Sequence, residues 1–140
     1  MNGKIELILL PVEDVDRAKA FYVERCGFEV IVDHAPNESF RIVQCQPPGS
    51  ACAVGFGVGI QLETPPGSVR GIHVMVTDIV EARDELIERG VEVEPIVNFG
   101  ADGVAHDGPH PDRSDYGSFA SFRDPDGNSW LLQERGYRAA

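Results

Sequence analysis

The sequence contains no long hydrophobic run, and this absence sets a first limit on its function. No stretch of its 140 residues approaches the roughly 20 consecutive apolar residues that a membrane-spanning helix needs. The opening run MNGKIELILLP lacks the basic region and the small-residue cleavage site of a secretory signal, and it is typical of a first strand. We therefore expect a cytoplasmic protein without a membrane partner.

Cysteines and basic residues are also few. Cys26, Cys45 and Cys52 show no CxxC spacing and cannot all pair, which predicts free thiols in a reducing compartment. Twelve basic residues stand against 23 acidic ones, and the formal net charge is −11. Such a surface repels phosphate backbones, so we expect no nucleic-acid partner.

The chain instead contains an internal repeat. The segment PVEDVDRAKAFYVERCGFEV near the start is answered by MVTDIVEARDELIERGVEV in the second half. In each copy an aspartate, Asp14 or Asp78, precedes apolar residues at helical spacing and is suited to cap a helix. A glycine, Gly27 or Gly90, stands where a left-handed residue ends the helix. Each copy therefore predicts a strand, a capped helix and a second strand.

Three strand-like runs follow each predicted helix, and the turn-rich TPPGS separates the two halves. The runs are FEVIVDH, SFRIVQC and ACAVGFGVGIQLE in the first half, and VEVEPIV, GSFASF and NSWLLQE in the second. This order predicts an α+β fold of two tandem β-α-β-β-β modules, residues 1–66 and 67–140. Modules of this size are small for independent stability, so we expect a single domain. The polar segment 98–117 is predicted to be a long loop.

The paired modules, the motif VEDVDRAKAFYVERCGF and the closing DPDGN strand resemble the vicinal oxygen chelate superfamily. That group includes glyoxalase I, extradiol dioxygenases, fosfomycin-resistance enzymes and bleomycin-binding proteins. The resemblance covers nearly the whole chain and implies a cupped mixed sheet with a central cavity. The cavity forms either within one chain or across a homodimer, and we expect a homodimer. The fold hosts unrelated activities and does not by itself assign one.

In the metal-dependent members that this chain resembles, His or Glu side chains project into the cavity from the first and last strand of each module. The corresponding positions here are Leu7, Gln61, Gly71 and Leu131. Leucine and glycine side chains have no donor atom for a divalent metal, and the neutral carbonyl of Gln61 cannot hold one alone. The resemblance therefore predicts a protein without a metal and without another cofactor.

Strand alternation then predicts which side chains line the cavity. The predicted ligand-binding residues are Leu7, Leu9, Met75 and Leu131 as apolar walls, and Gln61, His73, Ser129 and Gln133 as polar points. Ligand sites are typically apolar with a few convergent polar groups. The prediction is a protein that binds a small organic molecule, for sequestration or resistance as in the drug-binding relatives.

An enzyme is the alternative, because the resembling family contains lyases and dioxygenases. His73 is the candidate catalytic residue, since imidazole titrates near neutral pH, and Glu63 could join it in a displaced metal site. A third reading is an interaction domain whose pocket is filled by its own side chains.

A separate cluster in the second half also has side chains suited to zinc. It comprises His106, Asp107, His110 and Asp112. Because these residues stand among glycines and prolines in the predicted loop, a solvated lid is the favoured interpretation.

Overall fold

The computed structural model describes residues 1–60 and 62–139, in two compact units. The first unit comprises Met1–Val69 together with Asp124–Asn128, and the second comprises Arg70–Arg123 together with Ser129–Ala140. Each unit contains a helix and a mixed sheet. The predicted α+β class and the tandem modules are therefore confirmed.

The first unit has a four-stranded sheet in the order β1-β4-β3-β2, in which β1 is parallel to β4 and the other pairs are antiparallel. Its elements are β1 (Leu7–Leu9), α1 (Val15–Lys19) continued by a π-helical segment (Ala20–Arg25), β2 (Glu29–Asn37), β3 (Phe40–Gln46) and β4 (Ala53–Val58).

The helix of the first unit begins and ends where the sequence predicts. The Asp14 carboxylate accepts a hydrogen bond from the Arg17 amide at 3.0 Å, and Gly27 follows the helix with a φ of 76°. Tyr22 packs its ring against Phe28 and Phe56, with centroids 5.6 and 5.7 Å away. The helix thus covers one face of the sheet and forms the core there.

The second unit has a five-stranded sheet in the order β5-β9-β8-β6-β7, in which only β5 and β9 are a parallel pair among the described strands. Its elements are β5 (Ile72–Val76), α2 (Ile79–Glu88), β6 (Val97–Phe99), β7 (Ala105–Asp107), β8 (Ser118–Arg123) and β9 (Ser129–Glu134).

Helix α2 is capped by Asp78, whose carboxylate accepts from the Val80 and Glu81 amides at 3.1 Å. Its buried side chains include Ile79 and Leu86, and the sheet contributes further buried apolar residues to this side. Trp130 and Phe122 stack there with centroids 5.9 Å apart.

The last strand of the first unit is shorter than predicted. The run ACAVGFGVGIQLE reads as one strand, but β4 ends at Val58. Gly59 has a φ of 74°, and a Cβ on it would lie 2.4 Å from the Ser39 carbonyl oxygen. Strand alternation therefore cannot assign faces beyond Val58, and Gln61 lies outside the described residues.

Two strands of the second unit also differ from the prediction. The run VEVEPIV contributes only Val97 to β6, because Pro95 has no amide hydrogen for a sheet ladder. Val93 instead makes an isolated bridge to Phe122. Strand β7 lies within segment 98–117, so the prediction of an irregular loop is wrong there.

No helix in the described part of the chain is long and apolar enough to cross a membrane. All three cysteines are free thiols. Cys45 is fully buried, and burial raises its pKa to about 12, which makes it unreactive near neutral pH.

Candidate functional site

One face of the sheet in the second unit is not covered by α2. Side chains along β9 alternate between buried and half-buried, and Trp130 and Leu132 are buried on the helix side. The half-buried residues on the other side are Ser129, Leu131 and Gln133. We call this side of the five-stranded sheet the open face.

Strand register shows which side chains are neighbours on the open face. His73 lies opposite Leu131, which lies opposite Ser121 in the next strand. A second row crosses all five strands and contains Met75, Gln133, Phe119, Val97 and Asp107. The alternation predicted from the sequence for β5 and β9 is therefore the alternation in the structure.

An aromatic pair occupies the part of the open face near β6. Phe99 and Phe119 meet edge to face, with ring centroids 5.7 Å apart and an interplanar angle of 74°. The adjoining depression has a volume of about 290 Å³. Its lining includes Glu94, Val97, Asp107, Phe119, Ser121 and Leu131.

Two polar side chains of the open face are held by the backbone of Gly71. The Nδ1 atom of His73 lies 2.7 Å from the Gly71 carbonyl oxygen. Because a carbonyl only accepts, this bond requires the hydrogen on Nδ1 and leaves Nε2 available on the exposed imidazole. The Gly71 amide in turn donates to the Ser129 hydroxyl at 2.8 Å.

The predicted site residues of the first unit lie together on the sheet face away from α1. Leu7 and Leu9 are half-buried, and they flank Gly55 in the neighbouring strand. A Cβ on Gly55 would lie 3.1 Å from Leu7 Cδ1 and 3.3 Å from Leu9 Cδ2. The glycine therefore gives both leucines the room to lie flat on β4.

Five predicted residues are thus brought together on the open face, and two lie in the first unit. The five are His73, Met75, Ser129, Leu131 and Gln133. Val97 and Phe99 also contribute to the open face, which the sequence did not predict, because Phe99 falls in the predicted loop. The predicted set could have included Phe119, since alternation already separates that ring from Phe122.

The cluster of His106, Asp107, His110 and Asp112 lies partly in a strand and not, as the sequence predicts, wholly in a loop. His106 and Asp107 lie in a strand, and His106 Nε2 is 2.9 Å from the Asp102 carboxylate. His110 Nδ1 accepts from the Asp112 amide at 3.2 Å. The segment that follows β7 is held by the side chain of Asn98 on β6, whose Nδ2 atom donates to the Gly108 carbonyl at 2.8 Å.

Known proteins resemble this chain in both sequence and fold. Residues 7–43 match the family model described as bleomycin resistance protein-like N-terminal. The crystal structure of TnmS3, an antibiotic binding protein from Streptomyces sp. CB03234, is 32% identical with a TM-score of 0.72. The match covers 95% of this chain and 96% of TnmS3.

A glyoxalase/bleomycin resistance protein from the same Streptomyces strain is also 32% identical. That match covers 94% of this chain and 100% of the relative, with a TM-score of 0.70. The chain belongs to the vicinal oxygen chelate superfamily. A glyoxalase/bleomycin resistance protein/dioxygenase superfamily member from Sphaerobacter thermophilus DSM 20745 is 29% identical over 96% of this chain and 98% of its own, with a TM-score of 0.72.

At the positions that the resemblance assigns to metal ligands, the side chains present do not fit a divalent metal ion. Leu7, Gly71 and Leu131 offer no nitrogen, oxygen or sulfur side-chain atom as a ligand. Within residues 1–60 and 62–139, no three or more His, Cys, Asp or Glu side chains lie close enough to hold a metal ion. The donor chemistry at these positions therefore supports no metal-dependent step.

Proposed function

We propose that the protein binds a small organic molecule on the open face, without a metal ion, and acts by sequestering it. The observation that carries this proposal is the composition of the face. Met75, Leu131 and the Phe99–Phe119 pair supply apolar surface, and His73 and Gln133 supply polar groups between them. Such a mixture is typical of ligand sites.

Similarity to TnmS3 supports sequestration as the role. That relative is an antibiotic binding protein, and its similarity extends over nearly all of both chains. A protein that protects by affinity alone needs a complementary surface and no reactive centre. Leucine and glycine at the superfamily's ligand positions agree with such a role.

Binding to the open face is tested with N-phenylnaphthylamine, an uncharged probe that fluoresces in apolar surroundings. Phe99→Ala removes exposed aromatic surface from the face, and we expect the affinity to fall by roughly threefold to tenfold. Ile87→Ala is the matched control, because Ile87 is 43% exposed on α2 and Phe99 is 42% exposed. Equal affinities for the two variants, or no binding by the unaltered protein, would contradict the proposal.

Sequestration is tested by the fate of the bound compound. Antibiotics are screened for those that raise the melting temperature, and each hit is incubated with the protein and then recovered. We expect the recovered compound to have an unchanged mass. A product of different mass would instead indicate catalysis.

An acid–base enzyme is the second candidate, supported by the geometry of His73. Its Nδ1 atom is held by the Gly71 carbonyl, so Nε2 is the atom that could accept a proton from a bound substrate. Turnover of the methylglyoxal–glutathione hemithioacetal tests a glyoxalase-like lyase. Activity that disappears in His73→Ala would favour this candidate over sequestration.

We also propose that the protein is a cytoplasmic homodimer. Val30 and Ile31 are exposed on β2, which is an edge strand of the first sheet, and exposed apolar edges are suited to pairing with another chain. Light scattering after gel filtration should give twice the chain mass of 15.3 kDa. A monomer mass at micromolar concentration would contradict the dimer, and cell fractionation tests the location.

A further inference from the structure

Arg135 extends the open face beyond the end of β9. Its amide donates to the Val76 carbonyl at 2.9 Å, so the pairing between β5 and β9 continues to this residue. Alternation along the strand places Arg135 on the same side as Leu131 and Gln133. Its Nη1 atom lies 3.9 Å from the Met75 sulfur, which is itself on the open face.

The Arg135 guanidinium has no ion-pair partner among the described residues. Three other arginines do: Arg17 pairs with Asp126, Arg41 with Asp33 and Arg113 with Glu134. Carboxylate groups are abundant in this protein, because acidic residues outnumber basic ones by 23 to 12, and yet none pairs with Arg135 among the described residues.

The contacts of Arg135 hold the guanidinium without an anionic partner. The second contact is with the ring of Tyr116, whose centroid lies 5.5 Å from Arg135 Cζ. A thioether and an aromatic face position a guanidinium, but neither satisfies its N–H donors as an anion does. The donors are therefore available to a ligand on the open face.

We propose that Arg135 binds an anionic group of the ligand, so that the ligand is an aromatic compound with an ionised acidic substituent. The planar fork of a guanidinium matches carboxylates and other oxyanions. The aromatic part packs on Leu131 and Phe119, while the acidic group reaches Arg135 past Met75. This inference rests on the proposed function, because it assigns the ligand class of the same face.

The acidic residues of the face support one orientation of the ligand. Asp107 lies on β7, three strand spacings from β9, which is roughly 14 Å at the usual spacing. Glu94 lines the same depression. These carboxylates repel an anion, so the acidic group of the ligand is directed toward Arg135 and its uncharged end toward β7.

The test compares two probes that share one aromatic skeleton. Anilinonaphthalene sulfonate carries an anionic group, and N-phenylnaphthylamine has none. We expect Arg135→Ala to weaken binding of the sulfonate by roughly threefold to tenfold, as for a partly exposed charge-assisted contact. The affinity for N-phenylnaphthylamine should stay unchanged, which also shows that the variant is folded.

Arg138→Ala is the matched control, because it removes the same charge from an exposed residue three positions further along the chain. We expect it to leave both affinities unchanged. A loss of sulfonate binding that is equal in the two variants indicates general electrostatics and overturns the assignment. No loss in Arg135→Ala overturns it as well.

The two proposals fail in distinguishable ways. If N-phenylnaphthylamine binds and Phe99→Ala weakens it while Arg135→Ala changes neither probe, the open face is a ligand site and only the anion contact is wrong. If neither probe binds the unaltered protein, the proposed function fails and the inference fails with it.

Discussion

The Asp124 carboxylate organises the turn between β8 and β9. One oxygen accepts from the amides of Asp126, Gly127 and Asn128, each at 2.9 Å. The other oxygen accepts from the Tyr22 hydroxyl and from the Asn128 side chain, both at 2.7 Å. The carboxylate that holds this turn is therefore also the buried partner of a helix tyrosine.

Tyr22→Phe tests the hydrogen bond between the Tyr22 hydroxyl and the Asp124 carboxylate by removing one atom. The substitution removes the hydroxyl and leaves a buried carboxylate oxygen with one donor fewer, which costs about 1–2 kcal/mol of unfolding free energy. Urea denaturation gives the value. Tyr116→Phe is the control, because Tyr116 is exposed, and we expect a change below about 0.5 kcal/mol. Equal effects of the two substitutions would contradict a role for the buried hydrogen bond.

Glu134 is a fully buried carboxylate with strong donors around it. It accepts from Arg113 Nε at 2.8 Å and from the Ile79 amide at 2.9 Å. Burial raises the pKa of Glu134, but the hydrogen bonds from Arg113 and Ile79 outweigh burial and hold it below the ordinary 4.5. The charged form is therefore the stable form in the folded protein.

Glu134→Gln should destabilise the protein by about 2–3 kcal/mol at neutral pH, because Arg113 loses its buried charged partner and keeps only the longer contact with Asp78 at 3.4 Å. A carboxylate with a lowered folded pKa contributes stability that is complete above its unfolded pKa and is lost as the pH falls through the folded value. The difference between the two proteins should therefore shrink below about pH 4.5. Urea denaturation across pH measures it, and a difference that is independent of pH would contradict the charge argument.

At the scale of elements, the turns between strands depend on glycines with positive φ, and two of these differ in their surroundings. Gly67 has a φ of 78° and Gly71 a φ of 75°. A Cβ on Gly67 would lie 1.9 Å from the Asp126 carbonyl oxygen, whereas a Cβ on Gly71 would have no heavy atom within 4 Å. The backbone strain is the same in both, and only Gly67 lacks space.

Gly71→Ala should therefore cost about 1 kcal/mol, the penalty for a left-handed alanine. Gly67→Ala should cost roughly 3 kcal/mol or more, because two backbone segments must also move apart. Thermal unfolding of both variants measures the difference. Equal losses of stability in the two variants would mean that the backbone segments at Gly67 and Asp126 move apart at little cost in free energy.

At the scale of the whole molecule, the side-chain atoms that are available to bind a metal decide which chemistry the fold can support. The superfamily fold is present, and Leu7, Gly71 and Leu131 stand at three positions that the resemblance assigns to metal ligands. A fold supplies positions, and the residues at those positions supply the chemistry.

We expect less than about one tenth of a metal ion per chain after equilibration with Ni²⁺, Zn²⁺, Mn²⁺ or Fe²⁺ and desalting, because these positions lack donor atoms. Mass spectrometry of the untagged protein measures the metal content. A value near one would contradict the metal-free proposal and would direct attention to His73 and to residues 102–112.

The order of residues alone is enough to predict the α+β class, the tandem modules, the helix caps and the alternation of β5 and β9. These features are local, since Asp14 caps an amide three residues away and alternation depends only on neighbouring residues. The ends of the strands, and the side chains that lie opposite each other across neighbouring strands, depend on the tertiary structure. Gly59 ends β4 beside a distant carbonyl, and His73 meets Leu131 across 58 residues of sequence, because cross-strand register depends on packing between segments that are far apart in the chain.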